Sequence, residues 1–384
     1  MPKAKSDQET MFPFNVLIAG GGVAGLEAAF ALQDIGGDAI DVTVLVPNSE
    51  FVYRPMSVRE PFSYAGAKRY PLADIVTDAG AKLIEDSFAW VDRDERVAHT
   101  EGGAALKYDA LILAMGAKRY EQFPHATTVD DSSMEELYHG VIQDVEMGYV
   151  TKLAFVMPSA RCWPLPLYEL ALMTAERAYA MCVDVDITIV TPERAPLDVF
   201  GHEASTAVGE LLLERGIAVE THAKAHVPSE RKVIIEPGKR DLEVDRVIAL
   251  PQLMGPSIRG LKGAEHGFIP VDQHCQVIGA ERIFAAGDAV NSLVKHGGLS
   301  SQQADVAAAQ IAHLAGVGPK VGPLWPHVEG TLLTGRDPLY IRAELVGESG
   351  FGSEVSDKPL WSPPTKIRAK YLGPYLEKFD HAVH

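Results

Sequence analysis

Asn15-Val16-Leu17-Ile18-Ala19-Gly20-Gly21-Gly22-Val23-Ala24-Gly25 is the stretch on which the fold of this chain turns. Its first five residues form a short apolar run of the kind a buried parallel strand presents. Gly20, Gly22 and Gly25 then fit G-x-G-x-x-G. In such a turn the first glycine permits the bend, the second lets backbone approach a pyrophosphate, and the third lets helix pack on strand. Residues 26–35 (LEAAFALQDI) are rich in helix formers, and Asp41–Val46 (DVTVLV) reads as the next strand. The order strand, glycine turn, helix, strand predicts a βαβ unit whose helix N-terminus faces phosphate, with Val23 and Ala24 in its first turn. The acidic residue expected about 20 positions on, for a ribose hydroxyl, is absent: that place falls near Val46. Glu50 lies too far along, which leaves the backbone, Asn48 or Ser49 to hold a ribose.

A second copy of the pattern starts at Lys152–Met157 (KLAFVM), continues through a helix at Pro166–Tyr179, and ends on a strand at residues 184–190. Its turn, Pro158-Ser159-Ala160-Arg161-Cys162-Trp163-Pro164-Leu165-Pro166, has no glycine, so close approach of a second pyrophosphate is not expected there. Glu193 and Arg194 stand near where a nucleotide ribose or its 2′-phosphate would be met, though displaced. Between the two units lie a β-rich stretch (83–113) and a polar connector (117–150). After them come VDRVIAL, the strand-like PVDQHCQV, and an Ala/Gln-rich helix over Leu299–Ala315. The fold class is α/β: two Rossmann-like dinucleotide-binding domains plus a small C-terminal cap. The division expected is a tail (1–13), a discontinuous first domain (14–118 and 272–320), a second domain (119–271) with a degenerate glycine loop, and a cap or interface segment (321–384).

The 384 residues carry 35 Lys and Arg against 52 Asp and Glu, a net charge of −17. No basic stripe is present to neutralise phosphates, so nucleic acid is not an expected partner. Three scattered cysteines, Cys162, Cys182 and Cys275, form no CxxC; they fit a reduced, cytoplasmic protein without a thiolate metal site. The 13 histidines show no ligand spacing either, and no metal is expected. The start, MPKAKSDQET, lacks the apolar core of a secretory signal, and no run of 18 apolar residues occurs. In Thr365–Phe379, Ile367, Tyr371, Leu372 and Tyr375 have helical spacing beside Lys366, Arg368 and Lys370, while Gly373-Pro374 is expected to interrupt any helix. That segment packs on its own protein, on a dimer partner, or at a membrane surface.

Ile283-Phe284-Ala285-Ala286-Gly287-Asp288 is more specific than the glycine turn. With it, and with Leu113-Ala114-Met115-Gly116-Ala117, the chain resembles the two-dinucleotide-binding-domain flavoproteins, the pyridine nucleotide–disulfide oxidoreductase superfamily. Sulfide:quinone oxidoreductases, flavocytochrome c sulfide dehydrogenases and type II NADH dehydrogenases are its most similar-looking branches, and the resemblance spans residues 14–320. It implies a glutathione-reductase-like architecture and FAD as cofactor, with NAD(P)H doubtful. Asp288, after Gly287, would hydrogen-bond the ribityl chain, and Ala114, Met115 and Gly116 would touch FAD. Phe51-Val52-Tyr53-Arg54-Pro55 would run beside the isoalloxazine, with Arg54 at the pyrophosphate and Pro55 and Phe88 in the contact set. The bland alternative is a buried aromatic with a surface arginine.

Val294-Lys295-His296-Gly297-Gly298 resembles the Lys-Thr-Gly segment of sulfide:quinone oxidoreductases. There, backbone N–H groups near Gly297 would meet the negative edge of reduced flavin, and Lys295 or His296 would add positive charge; a plain helix-start loop is the other reading. Cys162-Trp163-Pro164 and Tyr168-Glu169 match in part a run of the sulfide-oxidising branch, making Cys162 a catalytic candidate and Trp163, Tyr168 and Glu169 a donor pocket. That branch pairs this cysteine with a second one before the Lys-Thr-Gly segment, and residues 288–295 contain none. Gln302 and Gln303 resemble a quinone motif or form a solvated helix face. The function implied is transfer of electrons from a small reductant through flavin to a quinone or other diffusible acceptor. Alternatives are NAD(P)H dehydrogenation through an atypical site, sulfide:quinone oxidoreduction, and a non-catalytic flavin-binding interaction protein. Peripheral membrane contact and a homodimer are compatible with each.

Overall fold

A computed structural model describes residues 13–130, 134–347 and 349–382. The strand Phe14–Ala19 lies at the centre of a five-stranded parallel sheet, ordered 283–285, 110–113, 14–19, 40–46, 82–85. Val16, Leu17, Ile18 and Ala19 are all buried, as an apolar run covered on both faces requires. Helix α1 (Val23–Gly36) makes the crossover to Ile40–Val46, and α2 (Leu72–Asp78) leads into Lys82–Glu85. Three antiparallel strands, Phe88–Asp92, Val97–Thr100 and Ala105–Lys107, form the β-rich stretch.

After α3 (Met134–Glu146) comes a second five-stranded parallel sheet, ordered 127–128, 246–249, 152–156, 186–190, 217–220. Helices α4 (Leu165–Ala180) and α5 (His202–Glu214) belong to it. The chain passes between the two sheets through Lys118–Tyr120 and returns through Gln252–Met254, paired antiparallel. Beyond that return, Ile258, Leu261, Ile269 and Val271 pack against the core of the first sheet, around Leu17 and Leu111. PVDQHCQV is not a strand: Cys275 sits at φ 62° in a turn, buried in the first core.

Helix α6 (Gly297–Leu314) lies beside α1, with Ala24, Ala28 and Ala31 on one helix and Ala304, Ala307 and Ala308 on the other buried in the same core. Small side chains let the two helices approach closely. The C-terminal segment holds an antiparallel sheet, His327–Leu332, Leu339–Val346 and Ser349–Ser356, and helix α7 (Leu372–Ala382). Val328, Leu332, Ile341 and Leu345 of the sheet join the core of the second unit. Helix α7 packs on α1 instead, with Tyr375 and Phe30 ring centroids 4.8 Å apart. Pro374 does not interrupt this helix; it stands in the first turn, where an N–H has no helical partner anyway. Tyr371, Leu372 and Tyr375 pack against the first core, so the apolar face of the segment is used within the protein. Among the described residues no helix is long and apolar enough to cross a membrane, and no group of three His, Cys, Asp or Glu is placed to hold a metal.

Candidate active site

The three glycines of the first turn have separate jobs. Gly20 lies at φ 120°, and a Cβ there would fall 2.3 Å from the Ala114 carbonyl oxygen. A Cβ on Gly25 would fall 1.9 Å from the Gly20 oxygen. A Cβ on Gly22 would meet nothing within 4 Å and would project into open space. Gly20 and Gly25 thus serve packing, whereas Gly22 keeps room for a ligand. Helix α1 has no side-chain cap, and its first helical bond runs from Leu26 N–H to Gly22 O (3.0 Å). The N–H groups of its first turn are left to a ligand with negative charge.

This turn opens on a cavity of about 1050 Å³ between the two sheets. That exceeds what a drug-sized ligand needs and suits a dinucleotide. Val23, Ala24, Asn48, Arg54, Pro55, Phe88, Ala114, Met115, Gly116, Gly287, Asp288, Lys295, His296 and Gly297 all line it, so the structure brings the sequence-predicted cofactor residues together. Gly116 and Gly287, at φ 72° and 81°, hold two of the wall's turns. The Gly287 N–H donates to buried Gln303 Oε1 (2.8 Å). Gln302 binds Gly298 O and both backbone groups of His327, so these glutamines brace backbone and do not form a solvated face. Glu50 reaches the cavity rim, tied to Arg69 at 3.1 Å.

The positive charge expected from the loop before α6 is only partly there. His296 is buried, and burial pushes its pKa down to about 4, leaving a neutral ring at neutral pH. Among the described residues its Nδ1 has no hydrogen-bond partner. Lys295 is buried too; burial lowers its ammonium to about 8 against the attraction of Asp288. Its Nζ donates to Asp288 O (3.0 Å) and to Val290 O, and lies 3.9 Å from the Phe268 ring centroid. Lys295 therefore holds the loop of Asp288 in shape and adds charge from behind it.

The second crevice is built differently. Pro164 caps α4 and Pro166 occupies its first turn, so N–H donors that would meet phosphate are missing. Trp163 lies over this end, 5.6 Å from Phe200 and 4.5 Å from His296 between ring centroids. Glu193 accepts hydrogen bonds on Oε2 from Tyr168 Oη (2.7 Å) and Thr191 Oγ1 (2.9 Å). Arg194 is held by Asp198 (2.7 Å) and Ser349. Tyr168 is fully buried beneath the crevice and lines neither cavity, which corrects its expected place in a donor pocket. The sequence pattern could not show this, because its hydroxyl is claimed by a residue 25 positions away.

Glu169 does line the large cavity, fully buried, with Lys366 Nζ at 2.7 Å and the Leu333 N–H at 2.9 Å. Lys366 and Ile367 are wall residues that helical periodicity misassigned, since 365–371 crosses the cavity as a strap and Ile367 N–H donates to Tyr53 Oη (3.1 Å). Cys162 lines the cavity as a thiol: burial pushes its pKa up to about 11, and Sγ donates to Pro251 O (3.3 Å). Cys275 lies in the first core, its pKa pushed up to about 12 by burial, and Cys182 is exposed beyond α4, so all three are free.

Comparison with known proteins agrees with this arrangement. The model of the pyridine nucleotide-disulphide oxidoreductase family matches residues 14–146 and 169–313. An NADH dehydrogenase-like protein of Mycobacterium tuberculosis is 26% identical over 293 residues, covering 71% of this chain and 72% of the relative. The sulfide-quinone reductase of Aquifex aeolicus is 22% identical over 265 residues, covering 64% and 60%. The solved structure of the Aquifex aeolicus sulfide:quinone oxidoreductase superposes with a TM-score of 0.80 at 19% identity, over 95% of this chain and 90% of that one. A NAD-dependent persulfide reductase from A. fulgidus shares the fold at a TM-score of 0.62, 20% identity, over 87% and 64%. A family match over most of the chain, on a fold that sets the glycine turn and Asp288 around one cavity, makes this protein a member of the pyridine nucleotide-disulphide oxidoreductase family and an FAD-dependent oxidoreductase.

Proposed function

We propose that the protein takes electrons from a small reductant and delivers them to a quinone or other diffusible acceptor, without using NAD(P)H. The observation that carries this reading is the contrast between the crevices. The first has an open glycine cradle and free helix N–H groups; the second has prolines and Trp163 in the corresponding place. FAD, when bound, supplies the two-electron redox chemistry. The turn at Gly20–Gly25 would hold its pyrophosphate through the α1 N–H groups. Asn48 would meet a ribose, and Asp288 the ribityl chain. Gly297, at the N-terminus of α6, would present backbone N–H to developing negative charge, with Lys295 behind it. Trp163, Cys162 and Glu169 would shape the space left for the reductant. Neutral His296 would add a polar ring to that wall but no charge.

Anaerobic stopped-flow absorbance of the yellow protein tests the reading. Neither NADH nor NADPH is expected to bleach the flavin in the mixing experiment, and photoreduced protein is expected to be reoxidised by a soluble quinone. Rapid bleaching by either nicotinamide would overturn it. Sulfide is a narrower candidate for the reductant, supported by Cys162 on the cavity wall and by the name of the Aquifex relative. The sulfide reading requires bleaching that Cys162→Ser abolishes; unchanged kinetics in that variant would remove it. A cytoplasmic location with peripheral membrane contact belongs to the same proposal, and vesicle flotation of the purified protein tests the contact.

A further inference from the structure

The glycine-free turn of the second unit, residues 158–166, sends one long side chain out of its own domain. Arg161 lines neither the large cavity nor the smaller one beside Trp163. Its guanidinium reaches the first unit instead, where Nη1 donates to Asn291 Oδ1 (3.1 Å) and Nη2 to Glu265 Oε2 (3.3 Å). Those two partners belong to segments stitched by backbone bonds, from Ile269 N–H to Ala289 O (2.9 Å) and from Asn291 N–H to Ile269 O (2.8 Å). Phe268 in the first of these segments is fully buried, and two cations approach its ring. Lys295 Nζ lies 3.9 Å from the ring centroid and the Arg161 guanidinium carbon 5.8 Å. Both distances are within reach of the negative face of an aromatic ring. Lys295 in turn donates to the carbonyl of Asp288 (3.0 Å) and stands in the wall of the large cavity. The Arg161 side chain is only 20% exposed, whereas its partner Glu265 is 69% exposed and so offsets that charge weakly.

We infer that Arg161 is a positioning residue for flavin reduction: from the second unit it fixes the loop of Asp288 and Lys295, and it places a second positive charge behind Lys295. On the placement of flavin proposed above, on which this role rests, that charge favours the reduced flavin, which is the more negative form. Arg161 acts through Lys295 and Phe268 and not by touching the cofactor. The charged groups facing Lys295 are Asp288 and Arg161. Burial comes first in lowering its ammonium, Asp288 opposes, and Arg161 lowers it further, as two neighbouring cations must. A turn without a pyrophosphate cradle thus serves the flavin site of the other unit.

A redox titration of the flavin-loaded protein at neutral pH, read by flavin absorbance, tests this role. Arg161→Gln keeps a donor for Asn291 and loses the charge. At a fixed potential its ratio of reduced to oxidised flavin is expected to fall about tenfold, a shift of about 30 mV for a two-electron couple. Arg161→Lys keeps the charge and is expected to stay within about threefold of the wild type. Lys295→Met is expected to lower the ratio at least as far as Arg161→Gln does, because Lys295 stands nearer, in the cavity wall. An unchanged potential in Arg161→Gln beside a lowered one in Lys295→Met would overturn the inference and leave the flavin placement standing. Unchanged potentials in both would overturn the placement, and the role of Arg161 with it. An equal fall in Arg161→Gln and Arg161→Lys would mark a tie that only braces the loop, and would also overturn the inference. Should Arg161→Gln lose cooperative melting, Arg161→Met, which asks for no polar partner, replaces it in the same titration.

Discussion

Gly22 and Gly25 share one motif, yet their surroundings ask for opposite tests. Gly25→Ala puts a methyl 1.9 Å from a backbone oxygen, so strand and helix must move apart. We expect it to lose about 1–3 kcal/mol of stability, read by chemical denaturation. Gly22→Val leaves the fold intact because its side chain enters open space. We expect an unchanged far-UV spectrum and melting of the apoprotein, with FAD uptake lost in a fluorescence titration. Equal damage to folding by both would show that Gly22 also serves packing. Cys162 teaches a related lesson: a cysteine beside an aromatic in a cavity wall reads as reactive, but burial without a nearby cation keeps it a thiol.

Helices α1 and α4 follow equivalent strands and begin differently. The start of α1 has no side-chain cap and leaves its backbone N–H groups open to a ligand, whereas prolines remove such donors from the start of α4. The packing of α1, α6 and α7 hides a second electrostatic device. Glu27 on α1 is buried and accepts N–H bonds from Tyr371 and Leu372, so it caps α7 from another helix. Asp305 on α6 lies close to Glu27, with Lys370 opposing. Burial first, and then Glu27, raise the Asp305 carboxyl to about 7. Its folded value thus exceeds the unfolded value of about 3.9, and the folded state binds the extra proton. Stability from this group falls as pH rises from about 4 through about 7. Asp305→Asn, which holds a neutral side chain at every pH, is expected to remove that fall; an identical pH dependence of denaturation midpoints in both proteins would refute the assignment.

The C-terminal segment holds the two units to one another. Its sheet joins the second core, α7 joins the first, and the strap between them closes over the cavity. Lys366 is the charged link, meeting fully buried Glu169 on α4. Replacing Lys366 by Met leaves that carboxylate without its counter-charge. Denaturation is expected to show a loss of about 3–5 kcal/mol. Lys366→Met with Glu169→Leu is expected to recover most of it, since a pair removed together leaves no orphaned charge. A double variant as unstable as the single one would place the cost elsewhere in the strap.

Local chemistry made much of this legible beforehand. A strand, a glycine turn and a helix are neighbours in sequence, so residues 15–36 and 152–180 declared their form through short-range sterics and periodicity. Gly20, Gly22 and Gly25 could be assigned because each role follows from a missing Cβ. Asp288 was found through resemblance, and the structure brings it to the same cavity. Other features rest on contacts between distant residues. Tyr168 turned away from the cavity because Glu193 binds it, and Lys366 entered the wall because Glu169, 197 positions earlier, is buried there. The pKa values of His296, Cys162 and Glu193 likewise come from burial, which no local pattern encodes. The two βαβ units and the cradle of the first are written in the local chain, because backbone sterics act between neighbours. Tertiary structure alone decided which side chains face the cavity and what charge they carry, because desolvation and ion pairing depend on the whole packed molecule.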